Sequence, residues 1–236
     1  MNLDKTQHRI AEISISNSAI IAGIGLIIMA ILAPIANFSI IQGLIVPDDA
    51  AKTVSNIVAS EGLFRLGICF FLIVAVLDII VAWALYVFLK PINKSLSLLT
   101  AWFRIVYATM LGVVLIYLIS VLQLVNGAEY LTAFDPNQIQ TLVMLSVRNF
   151  TLGWEFSLIV FGFHLLLLGY LVLKAGYMRK ILGILIMLAA CGYLIDGFGK
   201  LLSTDYILTI SMFTFIGEVV LIFWLLIKGR KIEASK

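Results

Sequence analysis

Long runs of apolar residues, separated by short polar segments, dominate the pattern along the chain. Six of these runs are long enough to cross the hydrocarbon of a membrane as a helix, which takes about 20 residues for about 30 Å. They cover residues 18–41, 62–89, 97–125, 150–173, 181–202 and 206–227. The longest gap between them, residues 126–149, is too short for a soluble domain. The pattern therefore predicts an all-α, polytopic membrane protein, with six transmembrane helices in one bundle that forms a single membrane domain over residues 1–236.

Two of the polar segments between the runs carry signals for a helix N-terminus. Pro47-Asp48-Asp49 and Asp135-Pro136-Asn137 combine proline with carboxylates that cap helices. After each motif, apolar residues recur at helical spacing. We therefore expect short interfacial helices in the outer loops 1–2 and 3–4, lying in the plane of the membrane surface. An ordered loop without a helix is the alternative.

The composition supports a surface that faces lipid. Hydrophobic residues make up 62% of the chain, charged residues 12%, and the mean hydropathy is +1.12. A soluble domain carries about 25% charged residues, which it needs to solvate its surface. The net charge of +3 is small and no contiguous basic face is visible, so we expect the lipid bilayer as a partner and no nucleic acid.

The basic residues predict the orientation of the bundle. Short loops rich in Lys and Arg stay in the cytoplasm. The loops of one side contain two basic residues, Lys52 and Arg148. The same loops contain the acidic residues Asp48, Asp49, Glu129, Asp135 and Asp205. The chain ends and the loops of the other side hold 11 basic residues: Lys5, Arg9, Lys90, Lys94, Lys174, Arg179, Lys180, Lys228, Arg230, Lys231 and Lys236. This asymmetry predicts a multi-pass protein of the cell inner (plasma) membrane with both termini in the cytoplasm.

Ionisable side chains within the predicted spans are the candidate functional residues, because each costs about 2.5–3.5 kcal/mol at the centre of a lipid-facing helix. Counting residues from the basic ends places one group near the outer face, which we call the outer polar mouth. Within it, Glu61 and Arg65 are four residues apart, as are Asp196 and Lys200, so each pair can form a local salt bridge. Either these pairs are structural, or the mouth binds a charged or zwitterionic solute. The full candidate set is Glu61, Arg65, Trp154, Glu155, Asp196 and Lys200.

A second group lies about 15–18 Å from the basic ends. Asp78 and Arg104 fall at similar depth on adjacent antiparallel spans, which predicts an ion pair between helices. The pair can serve the stability of the bundle alone. His164 and Glu218 remain at the same depth without a basic partner. A contact between them could exchange a proton near physiological pH, and the alternative is a hydrogen-bonded histidine in the bundle core.

Enzyme chemistry finds little support in the residue types present. His8 and His164 are the two histidines, and metal-dependent intramembrane enzymes need several histidines or a Glu-x-x-His motif. Ser157 lies seven residues from His164 on one predicted helix, about 10 Å away, which is too far for a nucleophile and its base. We therefore assign no catalytic residue, no metal ligand and no cofactor.

Several short motifs, taken in their order and spacing, carry a resemblance to a known family. The chain resembles the bacterial membrane family catalogued as domain of unknown function 4386, and the likeness covers nearly its whole length. This resemblance implies an integral membrane protein and supplies neither a mechanism nor catalytic residues. The motifs run from Glu61-Gly62-Leu63-Phe64-Arg65 through Asp78, Tyr86, Lys90-Pro91-Ile92-Asn93 and Ala101-Trp102-Phe103-Arg104 to Phe163-His164-Leu165-Leu166-Leu167-Leu168-Gly169-Tyr170, Leu182-Gly183-Ile184-Leu185 and Gly192-Tyr193-Leu194-Ile195-Asp196.

Polar residues inside an apolar bundle favour one function over two others. We expect transport or sensing of a small polar solute through an intramembrane site. One form of this hypothesis couples the transport to protons. The alternatives are an accessory structural membrane protein without a ligand, and an intramembrane enzyme.

Overall fold

A computed structural model describes residues 13–127, 129–203 and 205–232. Lys5, His8, Arg9 and Lys236 lie outside the described residues, as does the side chain of Glu129. Across the described ranges the regular secondary structure is helical and contains no strand. The predicted all-α class is confirmed.

Six helices in the described part of the chain are long and apolar enough to cross a membrane, which confirms the predicted number. We number them spans one to six in chain order. The bounds of spans two, three and five agree with the prediction to within a few residues, whereas the other three differ in ways described below. The spans are Ile15–Leu44, Glu61–Leu89, Lys94–Val125, Pro136–Lys174, Lys180–Leu202 and Ser211–Lys231.

The spans form a ring. Each packs against the next one along the chain, and span six packs against span one as well as against span five, which closes the ring. Large apolar side chains such as Ile31, Leu72 and Ile116 point outward and are exposed, as expected for surfaces that contact lipid. The interior is filled by buried aromatic and aliphatic side chains, among them Phe71 and Phe150 with ring centroids 5.3 Å apart.

Glycines allow neighbouring spans to approach closely. A Cβ atom on Gly169 of span four would lie 2.9 Å from the carbonyl oxygen of Gly183 on span five, and one on Gly183 would lie 2.8 Å from the oxygen of Gly169. Spans five and six meet in the same way at Leu185 and Gly217. Helices associate in membranes through such small residues, because lipid provides no hydrophobic driving force between them.

Span one is longer than predicted and changes its geometry midway. Pro34 has no backbone N–H, so the regular hydrogen-bond series is interrupted at this residue. Residues Ile35–Ile41 form a π-helix, in which the N–H of Gln42 donates to the carbonyl of Asn37. The helix ends at Leu44 rather than at residue 41.

The two outer loops follow the prediction to different degrees. In loop 1–2 a short helix, Ala50–Ala59, begins where Asp49 accepts a hydrogen bond from the N–H of Lys52. In loop 3–4 a helix begins at Pro136 with the capping box of Asp135 and Gln138, as predicted. It continues without interruption into span four, and the short separate element of this loop is instead the 3-10 helix Glu129–Ala133. Neither Gly nor Pro follows until Gly153, so nothing in the local sequence ends the helix before the span.

Candidate functional site

The ion pair predicted between spans two and three is present in the interior of the ring. Nη2 of Arg104 lies 2.7 Å from Oδ1 of Asp78, and each side chain is 2% exposed. The guanidinium also lies over the ring of Phe161 on span four, 5.4 Å from its centroid. The charge of Arg104 is thus balanced by an anion and an aromatic face, while its Nε is buried without a hydrogen-bond partner among the described residues.

His164 of span four contacts the same guanidinium from a third side. Its Nδ1 lies 2.9 Å from the carbonyl oxygen of Thr100, and its Nε2 lies 3.1 Å from Nη1 of Arg104. Because a carbonyl only accepts and a guanidinium only donates, Nδ1 must carry the hydrogen and Nε2 must accept. The geometry therefore fits a neutral imidazole whose two nitrogens are both engaged.

Glu218 lies apart from His164, so the contact of the proton-exchange hypothesis is not formed, and the structure has the alternative, a hydrogen-bonded histidine in the bundle core. The histidine is bonded to Thr100 and Arg104, and no contact with Glu218 is found in the described ranges. Depth counting assigned Arg104 to Asp78 alone, whereas its several N–H groups serve Asp78 and His164 together. The carboxyl of Glu218 instead lies within electrostatic reach of the hydroxyl of Tyr193 on span five, and its Oε1 is buried with no hydrogen-bond partner among the described residues.

Two tyrosines that the sequence reasoning missed complete this region. Tyr107 of span three is buried and lies within electrostatic reach of Asp78 and Glu218, and Tyr193 lies within electrostatic reach of Glu218. A search for ionisable groups at neutral pH passes over tyrosine, but its hydroxyl both donates and accepts hydrogen bonds. We call Asp78, Arg104, Tyr107, His164, Tyr193 and Glu218 the central cluster.

Lys200 does not form the predicted pair with Asp196. Its Nζ donates to Oε1 of Glu155 at 2.5 Å, which joins span five to span four. The side chains of Lys200 and Glu155 are 32% and 27% exposed. The spacing of four residues made the local pair geometrically allowed, but Asp196 has other partners.

Asp196 caps the beginning of span six. Its carboxylate accepts hydrogen bonds from the N–H groups of Ile210 and Ser211 at 2.9 and 2.7 Å, and from the hydroxyls of Ser211 and Tyr206 at 2.6 and 2.7 Å. Residues 205–210 are consequently held in a non-helical course, and the helix begins at Ser211 rather than at the predicted residue 206. Partial desolvation and the bond to Asp196 raise the pKa of the Tyr206 hydroxyl.

A small pocket lies between spans four, five and six, and we call it the Lys200 pocket. Its interior volume of about 30 Å³ is room for one or two water molecules. Tyr193 belongs both to its wall and to the central cluster, so the pocket borders on the cluster. The pocket is lined by Glu155, Leu158, Tyr193, Asp196, Gly197, Lys200 and Ser211.

The structure divides the predicted outer polar mouth into separate places. Glu61 and Arg65 form their predicted pair, with Nη2 and Oε1 2.6 Å apart, and Asn126 of loop 3–4 also donates to Glu61. Neither residue lines the Lys200 pocket. Trp154 packs inside the ring, 5.3 Å from the ring centroid of Phe71, and is likewise absent from the pocket wall. Glu155, Asp196 and Lys200 are the predicted mouth residues that meet at one site.

Metal ligands and disulfides do not occur in the described part of the chain. Within it, no three His, Cys, Asp or Glu side chains converge as a metal site would require. Cys69 and Cys191 are both free thiols.

Comparison with known proteins identifies a relative and a family for this chain. It is 43% identical over 161 residues to a protein of Archaeoglobus fulgidus described as "Uncharacterized protein", an alignment that covers 68% of this chain and 82% of the relative. No solved structure matches the chain. Residues 21–229 match one family, in agreement with the resemblance seen in the motifs. The chain therefore belongs to the family described as Domain of unknown function (DUF4386).

Proposed function

We propose that this multi-pass membrane protein binds a small zwitterionic solute at the Lys200 pocket, and that it serves in the transport or sensing of that solute. The observation that carries the proposal is the ion pair of Glu155 and Lys200, two opposite charges 2.5 Å apart on the wall of a pocket between three spans. A zwitterion offers a carboxylate to Lys200 and an ammonium group to Glu155. It can therefore replace each partner of the pair with a charge of the same sign.

The pair differs from the buried ion pair of Asp78 and Arg104 in being reachable. Asp78 and Arg104 are each 2% exposed and bonded to one another, whereas Lys200 and Glu155 keep about a third and a quarter of their side chains exposed. Asp196, the other charged residue of the pocket, accepts four hydrogen bonds that hold the start of span six. A solute would meet Glu155 and Lys200 as the two charges available for exchange.

Binding requires a change in the pocket. Its present volume holds one or two waters, so even a small amino acid needs spans four and five to separate at the Glu155–Lys200 pair. This requirement favours transport or sensing over passive storage of a ligand, because occupancy then moves helices that cross the membrane.

Calorimetric titration of the purified protein with glycine tests the proposal. Acetate and methylammonium, which each carry one of the two charges of glycine, are the matched ligands. We expect glycine to bind, the two singly charged ligands to bind at least about tenfold more weakly, and Glu155→Gln or Lys200→Gln to abolish glycine binding. Asp205→Asn, which removes an exposed carboxylate outside the pocket wall, is the control variant and should bind glycine as the parent does. Equal binding of glycine by the Glu155→Gln and Lys200→Gln variants would contradict the proposal.

A structural role without a ligand is the second candidate, and one observation favours it. The ion pair of Arg104 with Asp78 and the contact of Arg104 with His164 join spans two, three and four, which is sufficient reason for their presence in an accessory membrane protein. Under this alternative no zwitterion binds, and the Glu155–Lys200 pair is a further contact between helices.

A further inference from the structure

We infer that solute binding at the Lys200 pocket is coupled to proton uptake by Glu218, with Tyr193 as the connecting residue. The inference rests on the proposed function and adds the ion that accompanies the solute. Three observations carry it: the charge balance of the central cluster, the surroundings of Glu218, and the position of Tyr193 both in the pocket wall and beside Glu218.

The central cluster contains one cation and two carboxyl groups. Arg104 is paired with Asp78 at 2.7 Å, and the hydrogen-bond pattern of His164 is that of a neutral imidazole. These two opposite charges cancel. Glu218 is the second carboxyl and has no ion pair of its own in the described chain, where its Oε1 is buried without a hydrogen-bond partner.

Charged and titratable groups face Glu218 from three other spans. Asp78 reaches it electrostatically from span two, Arg104 and Tyr107 from span three, and Tyr193 from span five. An ionised Glu218 would be a second anion in the interior of the ring, and its Oε1 has no hydrogen-bond donor among the described residues. Burial of a charge without a partner is costly, and a proton on Glu218 removes that charge, so the cluster can exist in two charge states that differ by one proton.

The charge state of Glu218 determines whether the hydroxyl hydrogen of Tyr193 is free to bind a solute in the pocket. The Tyr193 hydroxyl lies within electrostatic reach of the Glu218 carboxyl, and the residue is part of the pocket wall. An ionised carboxylate only accepts hydrogen bonds and therefore holds the hydroxyl hydrogen of Tyr193. A protonated carboxyl can itself donate to the Tyr193 oxygen, which leaves the hydroxyl hydrogen for the carboxylate of a solute. The balanced step is the transfer of one proton from hydronium in the aqueous solution to the Glu218 carboxylate, which leaves water and a neutral carboxyl.

The affinity for glycine as a function of pH, measured by calorimetry between about pH 5 and pH 8, tests the coupling. In the parent protein we expect the affinity to fall about tenfold per pH unit once Glu218 loses its proton, because one proton is taken up with each solute. Glu218→Gln mimics the protonated carboxyl and should bind with the parent's low-pH affinity at every pH. Tyr193→Phe lacks the hydroxyl and should bind weakly and without pH dependence, while Asp205→Asn should reproduce the parent profile.

Infrared difference spectra of the same samples separate the two levels of the proposal. Adding glycine to the parent should produce the band of a protonated carboxyl, and this band should be missing in Glu218→Gln. If glycine binds with an unchanged pH slope in Glu218→Gln, the coupling is wrong and the proposed function stands. If glycine fails to bind the folded parent at any pH, the proposed function itself is wrong and the coupling falls with it.

Discussion

Nε2 of His164 accepts a hydrogen bond from Nη1 of Arg104 at 3.1 Å. An imidazolium would place an N–H against the guanidinium, so this contact requires the neutral form of the histidine. The charge of Arg104 is then balanced by Asp78, and the histidine fixes the orientation of the guanidinium between spans three and four. The centre of the ring is therefore built from one ion pair and one neutral acceptor.

The first prediction concerns this ion pair. Asp78→Asn or Arg104→Gln alone should lower the free energy of unfolding by about 3–5 kcal/mol, because each leaves a buried charge without its partner. The double variant Asp78→Asn/Arg104→Gln should recover part of that loss. Unfolding of the purified protein in bicelles measures the cycle.

Glu61 and Arg65 provide the control cycle. They form an ion pair of similar length, 2.6 Å, but their side chains are 34% and 53% exposed. Solvent screens such a pair, so Glu61→Gln and Arg65→Gln should change stability little and without measurable coupling. Simple additivity of the two losses at Asp78 and Arg104 would show that the buried pair is not a stabilising unit.

The second prediction concerns the cap of span six. Asp196→Ala removes the acceptor of two backbone N–H groups and two hydroxyls, and should cost about 1–3 kcal/mol in the free energy of unfolding. Asp205→Asn, on an exposed residue of the same connection, should have no measurable effect.

The partners of Lys200 can be separated by the same measurement. Asp196→Asn and Lys200→Gln should add, since the two residues have no contact in the described chain, whereas Glu155→Gln and Lys200→Gln should couple. Coupling between Asp196 and Lys200 would indicate that these two residues form the local ion pair, and it would contradict the role of Asp196 as the cap of span six.

The third prediction uses two glycines with opposite surroundings. Gly169→Ala should be destabilising by about 1–3 kcal/mol, because the new Cβ would lie 2.9 Å from the carbonyl of Gly183. At Gly112 of span three no atom lies within 4 Å of such a Cβ. Gly112→Ala should therefore stabilise the helix by about 0.5–1 kcal/mol. Thermal unfolding of both variants checks the opposite signs, and a destabilising effect of equal size at Gly112 would contradict the packing argument.

The sequence was sufficient for the features that depend on local pattern. Apolar runs predict six spans because crossing the hydrocarbon demands that length. The capping residues Asp49 and Asp135 mark true helix N-termini. The pair of Asp78 and Arg104 followed from depth alone, since two buried charges on adjacent helices have few other partners.

Features that depend on contacts distant in sequence could not be read in the same way. Residues 206–210 are largely apolar, so they continue the hydrophobic run of span six, yet Asp196 of span five holds Ile210 and Tyr206 outside the helix. Glu155 is 45 residues from Lys200, and local spacing favoured the nearer Asp196. Tyr193 carries no charge at neutral pH, and its place between the pocket and Glu218 appears only when spans five and six are packed together.

The fourth prediction is the orientation of the chain. Reporter fusions after Lys94 and Lys180 should lie in the cytoplasm, and fusions near Asp49, Asp135 and Asp205 should lie on the opposite side. The reason is that the chain ends and loops of the first side together hold 11 basic residues, whereas the loops of the other side hold 2. A reporter that is active on the cytoplasmic side at Asp49 and at Asp205 would reverse the orientation.

Thiol labelling of the Lys200 pocket tests most directly whether a solute enters it. Leu158 lines the pocket, and Leu188, a half-exposed residue of span five that faces outward, is the control position. Leu158→Cys and Leu188→Cys are made in a background in which Cys69 and Cys191 are changed to Ala. A small membrane-impermeant thiol reagent, added from the side of Asp205, is applied with and without glycine.

We expect the thiol of Leu158→Cys to be labelled, and glycine to slow this labelling while acetate and methylammonium do not. The thiol of Leu188→Cys should not be labelled, and Lys200→Gln should remove the protection by glycine. Labelling of Leu158→Cys at one rate with and without glycine, in a protein that remains folded, would contradict a solute site between spans four, five and six.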